Sequence, residues 1–142
     1  MKSVKQLLNS KGHDVWSINS HDSMFDAIKL MAEKEVGALL VMDDSKLVGI
    51  VTERDNARKM ILKGKLSKQT SVKDIMTTSI LCARLEQTVE ECMALMTDKR
   101  VRHLPVLDGG RVVGLISMGD LVKAIIEEQQ FIIEQLEHYI SG

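Results

Sequence analysis

The chain has few of the residues that cross-link or stiffen a fold. Its 142 residues include two cysteines, one proline and only 3% aromatic residues. Cys82 and Cys92 have a spacing that fits no metal or redox motif, so we interpret them as small core residues in a reducing compartment. With so few aromatic side chains, the core must be built from Val, Ile, Leu and Met, and a hydrophobic content of 44% is sufficient for one.

A strong net charge and a long apolar run are also missing. The formal net charge is −1, which disfavours bulk electrostatic binding to nucleic acid or to an anionic membrane. There is no run of about 18 apolar residues that would span a bilayer. The segment Met1–Ser10 lacks the apolar stretch of a secretory signal. We therefore expect a cytoplasmic protein that binds neither nucleic acid nor membrane.

What the chain does have is an internal repeat. Residues 30–55 align without a gap on residues 95–120, and the same residue occurs at many positions of the two copies, among them Gly49 and Gly114, and Asp55 and Asp120. A duplicated unit usually cannot bury its apolar face alone. We therefore expect the two copies to pack on each other as one pseudo-twofold globule with equivalent clefts.

Each copy has the pattern strand, helix, strand, strand, helix, which predicts an α/β (α+β) fold. Helical periodicity and Ser/Thr-x-x-Asp/Glu capping patterns place one helix after Ser23 and another after Thr88. Turn residues between paired apolar runs predict two tight hairpins. The predicted strands are Val15–Ile18, Ala38–Met42 and Leu47–Val51 in the first copy, and Ile80–Ala83, Leu104–Leu107 and Val112–Ile116 in the second. Second helices are predicted to begin near Glu53 and Met118.

The boundaries follow from the repeat. We assign residues 1–64 to the first copy, 65–70 to a polar linker, 71–127 to the second copy and 128–142 to a C-terminal helical extension. Pro105 cannot donate to a strand ladder, so we expect it at a sheet edge or a strand end. The extension continues a heptad stripe through Ile126, Ile133 and Ile140. That stripe packs either on the chain's own core or on a second subunit, and we expect a homodimer.

The most informative motif is Gly49-Ile-Val-Thr-Glu-Arg-Asp55, which recurs as Gly114-Leu-Ile-Ser-Met-Gly-Asp120. In both, a strand ends and a helix begins with almost no loop. The hydroxyl of Thr52 or Ser117 can contact a phosphate there. A carboxylate one turn later can accept hydrogen bonds from the two hydroxyls of a ribose. The same pattern is also that of a plain capping box, and this alternative stays open.

Basic residues accompany both motifs but at different positions. The second copy has Arg102 and His103 where the first has Gly37 and Ala38. The first copy has Arg54 after its last strand instead. A cation near either junction suits a polyphosphate, although each of these charges taken alone fits a solvated surface equally well.

In its repeat order and its Gly-h-h-Thr/Ser-x-x-Asp endings, the chain resembles a tandem pair of cystathionine-beta-synthase-type (CBS) domains, a Bateman module, from about Val4 to about Glu127. The resemblance implies adenosyl ligands, with ribose on Asp55 and Asp120. It implies that further contacts come from the motif residues, from the Arg-His pair and from the first strands. These expected contacts are Thr52, Arg54, Ser117, Met118, Arg102, His103, Val15, Trp16, Ile80 and Leu81.

The sequence therefore predicts a non-catalytic adenine-nucleotide sensor that transmits its ligand state to an unknown regulated protein. The resemblance implies AMP, ADP, ATP or NAD(H) as the ligand, and the Gly-Ile-Val-Thr-Glu-Arg-Asp form is similar to stand-alone members that take AMP or NAD. The sulfonium of S-adenosylmethionine would gain nothing from the local positive charge, so this ligand stays an alternative, together with a structural protein whose clefts are empty. No histidine or cysteine falls in a motif with a nucleophile or with metal-ligand spacing. We therefore expect neither an enzyme nor a metal site.

Overall fold

The computed structural model describes residues 2–141, which divide into two compact units. The first unit is Val15–Leu81, and the second unit combines the residues up to Asp14 with those from Cys82 onward. Each unit contains one three-stranded sheet and the helices that pack on it. The predicted mixed α/β class is confirmed. The predicted repeat boundaries at residues 64, 70 and 127 stay a prediction, because compact units are a different division of the chain.

The sheet of the first unit has the order β1-β2-β3, with β1 parallel to β2 and β2 antiparallel to β3. The second unit repeats this arrangement with β4, β5 and β6. Even the irregularity of register recurs, after Val41 in β2 and after Val106 in β5. The strands are β1 (Ser17–Ile18), β2 (Ala38–Asp43), β3 (Lys46–Thr52), β4 (Ala83–Arg84), β5 (His103–Asp108) and β6 (Arg111–Ser117).

Within residues 2–141, five helices accompany these strands. Both predicted helix caps form. Thr88 makes a complete capping box with Glu91, whereas at Ser23 only the serine side chain takes part, by accepting from the Asp26 amide. The helices are α1 (Val4–Lys11), α2 (Met24–Lys34), α3 (Glu53–Asp55), α4 (Val89–Lys99) and α5 (Met118–Ser141). A π-helical turn, Asn56–Met60, and the 3₁₀ turns Ile61–Lys63, Ser67–Gln69 and Val72–Asp74 follow α3. The helix predicted near Glu53 is thus only three residues of α-helix.

Two predicted strands are shorter than expected, and a proline shifts the pairing of one of them by one residue. The Leu40 amide donates to the Trp16 carbonyl, which begins the pairing of β1 with β2. The counterpart of Leu40 is Pro105, which has no amide hydrogen. Pairing of β4 with β5 therefore starts one residue later, at Val106. Pro105 lies within the middle strand of its sheet, but at a residue that β4 does not reach.

The short segments that precede the first strand of each copy, residues 3–8 and 71–76, are here called the lead-in segments. Each packs in the unit that contains the strands of the other copy. Ser3 bridges Thr88 in the second unit, and the equivalent bridge in the first unit joins Ser71 to Ser23. The Val4 amide donates to the Gln87 carbonyl. In the same way, the lead-in of the second copy, residues 71–76, adds buried residues to the core of the first unit.

Each exchanged segment passes close to the glycine that begins the site motif of that unit. A Cβ atom built on Gly114 would lie 2.7 Å from Leu8 Cδ2, and one on Gly49 would lie 2.6 Å from Met76 Sδ. Contacts this short are not tolerated, so only glycine fits there without a shift. Both glycines are thereby explained by packing.

We predict that Gly114→Ala lowers the free energy of unfolding by about 1–3 kcal/mol, because Leu8 is fully buried and cannot move aside. In the Leu8→Ala background the same change should cost clearly less, since the clash is gone. Gly119→Ala is the matched control: its Cβ meets only Ser117 Oγ at 3.7 Å, and alanine is the better helix former. Urea unfolding measures all four proteins, and additive effects of Leu8→Ala and Gly114→Ala would contradict the close approach.

Candidate functional site

The two strand-to-helix junctions form a complete capping box in each unit. At the end of β3, the Thr52 amide donates to Asp55 Oδ2 at 2.9 Å, and the Asp55 amide donates to Thr52 Oγ1 at 3.2 Å. At the end of β6, the Ser117 amide donates to Asp120 Oδ2 at 2.8 Å, and the Asp120 amide donates to Ser117 Oγ at 3.1 Å. The capping interpretation of the motif is therefore correct as geometry.

The box does not use all the capacity of either carboxylate, and a lysine lies beside each. In the first unit Lys59 Nζ is 3.3 Å from Asp55 Oδ1 and also donates to the Ile75 carbonyl. In the second unit Lys11 Nζ is 2.5 Å from Asp120 Oδ2 and donates to the Leu115 carbonyl. The side chain of Asp55 is 14% exposed and that of Asp120 is 24% exposed. Both aspartates are thus half-buried, and each lies beside a lysine ammonium.

The sequence did not single out these two lysines, for different reasons. Lys59 follows Asp55 by four residues, and this spacing on a helix is a recognised ion-pair signal. Lys11 is 109 residues from Asp120 and arrives through the exchanged lead-in helix α1. No local pattern predicts that second contact.

Burial and neighbouring donors act in opposite directions on the Asp120 carboxyl. Burial raises the pKa of Asp120, but hydrogen bonds from Lys11 and from the Ser117 backbone outweigh it, so the pKa lies below its ordinary value. The anion is therefore the stable form at neutral pH. There is space beside this carboxylate, because a cavity of about 240 Å³ is lined by Lys11, Lys123 and Asp120 among others.

The ladder of the second unit brings Arg102 and His103 to the same junction. His103 pairs with Ser117 across β5 and β6, and the Met118 amide donates to the Arg102 carbonyl. Burial lowers the pKa of His103, and the charges of Lys11 and Arg102 lower it further against the opposing effect of Asp120. His103 is thus neutral at neutral pH, and of the pair only the exposed Arg102 carries charge.

The remaining predicted contacts are distributed along the first unit. Arg54 is half-buried in α3, one residue before Asp55. Val15 is half-buried just before β1, and Trp16 lies beneath the Lys34 ammonium, 4.4 Å from the ring centroid. Ile80 and Leu81 are half-buried and lie outside any strand. Their role in ligand contact stays a prediction.

Two further properties of the chain bear on its function. Within residues 2–141, no helix has both the length and the apolar character that a bilayer crossing requires. Over the same residues, no three or more His, Cys, Asp or Glu side chains are grouped as metal ligands.

The ion pair at Asp120 predicts a pH dependence of stability. Because the folded-state pKa of Asp120 is depressed, its contribution is present above the unfolded-state pKa, near 3.8, and is lost as pH falls through the folded value. We expect Asp120→Asn to lower the melting temperature at pH 7, with a cost below about 1 kcal/mol for this partly exposed pair. The difference from wild type should begin to shrink as pH falls past 3.8 and should vanish only below the lower folded-state pKa of Asp120.

Thermal unfolding monitored by circular dichroism from pH 7 downward measures this convergence. Asp98→Asn is the control, because Asp98 is exposed and its ion pair with the neighbouring Lys99 is long, at 3.8 Å. A difference between wild type and Asp120→Asn that persists unchanged at the lowest pH would contradict the assignment.

Comparison with known proteins identifies the repeat. The CBS domain family matches residues 4–55 and 72–127, which is most of the chain and both copies. The chain is 38% identical to the CBS domain-containing protein CBSX3, mitochondrial, of Arabidopsis thaliana, over 98% of this chain and 72% of that protein. The name of that relative places it in mitochondria; the cytoplasmic location predicted for this chain stays a prediction.

Solved structures agree with this match. The crystal structure of a CBS domain protein, NE2398, has a TM-score of 0.85 and 57% identity, covering 88% of this chain and 98% of its own. The CBS domain pair of protein MJ0100 was solved with 5′-methylthioadenosine and S-adenosyl-L-methionine. It has a TM-score of 0.78 and 25% identity, covering 90% of this chain and 98% of its own. This chain belongs to the CBS domain family and carries two tandem copies of the domain.

Proposed function

We propose that this chain is a non-catalytic regulatory module that binds an adenine nucleotide, AMP or NAD(H), at its two strand-to-helix junctions. One observation carries the proposal: at both junctions a half-buried aspartate lies beside a lysine. Support comes from the MJ0100 CBS pair, whose two ligands both contain adenosine. In this proposal the ligand state is transmitted to a regulated protein by a cytoplasmic homodimer.

The residues of the junction suit the parts of a nucleotide. An ionised carboxylate accepts both hydroxyls of a ribose, and Asp55 and Asp120 would take this role. The hydroxyls of Thr52 and Ser117 lie one turn before them and would donate to a phosphate. When the diol takes the carboxylate, the lysine is released to meet that phosphate. Each junction would therefore exchange an internal ion pair for a pair with the ligand.

Charge at the junctions favours a phosphate over a sulfonium. In the second unit Lys11 and Lys123 line a cavity together with Asp120, and the Arg102 backbone is hydrogen-bonded at the same junction. The first unit has Lys59 beside Asp55, with Arg54 in the same helix. A sulfonium would gain nothing from these cations, whereas each phosphate oxygen would. S-adenosylmethionine is therefore the second ligand candidate, in spite of its presence in MJ0100.

A catalytic role has less support from the side chains. Burial raises the pKa of both thiols, that of Cys92 to about 11, so the nucleophilic thiolate is disfavoured. The Ser117 hydroxyl accepts the Asp120 amide and is part of the box. Neither arrangement resembles an activated nucleophile, which needs an adjacent base.

A structural protein with empty clefts is the second candidate function. It is favoured by the fact that both aspartates already accept hydrogen bonds from their own backbone amides. The two candidates differ in what happens when a nucleotide is added, because a ligand that binds only the folded state must raise its stability.

We predict a saturable rise in melting temperature with AMP or NADH, and a smaller one or none with S-adenosylmethionine. At a hundredfold excess over Kd the stabilisation should be about 2.7 kcal/mol. Asp55→Ala and Asp120→Ala should each remove the response of one junction, and the double variant should remove all of it. Thermal-shift titration with each ligand, followed by calorimetry, measures the effect.

The matched control is Glu91→Ala. Glu91 forms the same box with Thr88, but at a helix that does not follow directly on a strand. Its removal should lower the melting temperature while leaving the ligand-induced rise intact. A rise that survives in the Asp55→Ala/Asp120→Ala protein would refute the ribose assignment, and no rise with any nucleotide would favour the scaffold.

The exchange of ion pairs predicts a second result. Adenosine and AMP must both displace Lys11 from Asp120, but only AMP has a phosphate with which the released lysine can pair. Lys11→Met removes this advantage of AMP. The preference of the second unit for AMP over adenosine should therefore fall by about three- to tenfold, the range of a partly exposed pair. Isothermal titration in the Asp55→Ala background isolates this site. Lys5→Met on the same helix is the control, and an unchanged ratio in Lys11→Met would contradict the exchange.

A further inference from the structure

The C-terminal part of α5 has an apolar surface that its own chain does not cover. Near its start, Leu121 and Ala124 are buried. From Gln129 to Ser141 every residue is exposed, including six large apolar side chains. These are Phe131, Ile132, Ile133, Leu136, Tyr139 and Ile140. The sequence left open whether the heptad stripe packs on the chain's own core, and its exposure shows that it does not.

This tail, residues 129–141, is also acidic. Glu134 and Glu137 lie within it, Glu127 shortly precedes it, and no lysine or arginine follows Lys123 in the sequence. An exposed patch of this size with one sign of charge marks an interaction surface rather than ordinary exterior. Its partner must therefore offer apolar side chains together with positive charge.

The chain itself contains a segment of that complementary character. Residues 61–68, Ile-Leu-Lys-Gly-Lys-Leu-Ser-Lys, carry three lysines and no acidic residue. Ile61, Leu62 and Leu66 are the apolar members, and they are 67%, 79% and 62% exposed. Leucine and isoleucine side chains exposed so fully are unusual in one short segment. Phe25, also exposed, adjoins them beneath the Lys68 ammonium at 4.8 Å.

We propose that the acidic tail of one copy docks on the basic segment 61–68 of a second copy. Apolar side chains of both surfaces would be buried against each other, and the lysines would lie among the glutamates at the rim. In a twofold dimer the contact would occur twice, once for each tail. The two exposed apolar surfaces thereby cover each other, and no unidentified protein is needed.

The opposite charges favour this occupant over a second tail. A coiled coil of two tails would place Ile126, Ile133 and Ile140 at one core position, but Gln129 would interrupt the other. Its flanking positions offer glutamate without any basic residue to pair with across the helices. Tail against tail therefore brings like charges together, whereas tail against segment 61–68 brings opposite charges together.

Paired charge reversals test the contact in the full-length protein. The basic variant of the tail is Glu134→Lys/Glu137→Lys, and the acidic variant of the segment is Lys63→Glu/Lys65→Glu. Each should raise the dimer dissociation constant at least about tenfold. The protein with all four substitutions restores opposite charges, so its dissociation constant should return to within about threefold of wild type. Sedimentation equilibrium measures the constants.

The matched control is Lys29→Glu/Lys46→Glu, which makes the same charge change at exposed lysines outside segment 61–68. Melting temperatures verify that each variant folds, and the four-substitution protein guards against damage by any single change. A monomeric wild type would overturn the proposal, as would reversals that act no more than the control. The proposal would also be overturned if the dissociation constant of the four-substitution protein showed the combined losses of the two double variants, with no recovery. Loss of the dimer in Glu134→Lys/Glu137→Lys alone would mean a different partner surface.

Discussion

The exchange of the two lead-in segments is the constraint on which the rest of this structure depends. Neither unit is complete with its own repeat, because residues 3–8 belong to the second unit and residues 71–76 to the first. Leu8 and Met76 are equivalent members of these segments, and each lies against the glycine of the opposite repeat's motif. Each unit therefore needs both repeats of the sequence, and neither repeat could form its unit alone.

That constraint separates two tasks within the site motif. Gly49 and Gly114 are identical because a neighbouring segment passes too close for a Cβ atom. The hydroxyl and the aspartate of the same motif form the capping box, which needs no glycine. From sequence alone the whole motif looked like one nucleotide signature. The structure divides it into a packing residue and a polar pair, and the proposed ribose and phosphate contacts fall on the polar pair.

The parts of the fold that sequence predicted are those with local causes. Hairpin turns, capped helices and apolar periodicity each depend on neighbouring residues, and the long strands and α4 formed within a residue or two of the prediction. The two-residue strands β1 and β4 depend on their partners, and Pro105 shifts the pairing of β4 by one residue, which only the register shows. The π-helical turn after Asp55 likewise has no pattern that foretells it. Residues 3–8 and 71–76 are visibly similar in sequence, but the exchange of these segments between the units is not visible there, because it joins residues far apart in the chain.

The site shows the same limit in its electrostatics. The repeat identified both aspartates. The i,i+4 spacing of Asp55 and Lys59 could also have predicted one of the two neighbouring lysines. The other, Lys11, comes from α1, and it also helps to keep His103 neutral. The two junctions therefore share a carboxylate and a hydroxyl but neutralise the carboxylate differently. A nucleotide would displace an i,i+4 pair within one helix at Asp55, and a contact between distant segments at Asp120. If both junctions bind ligand, the second couples binding to the position of α1, so duplicated motifs need not respond alike.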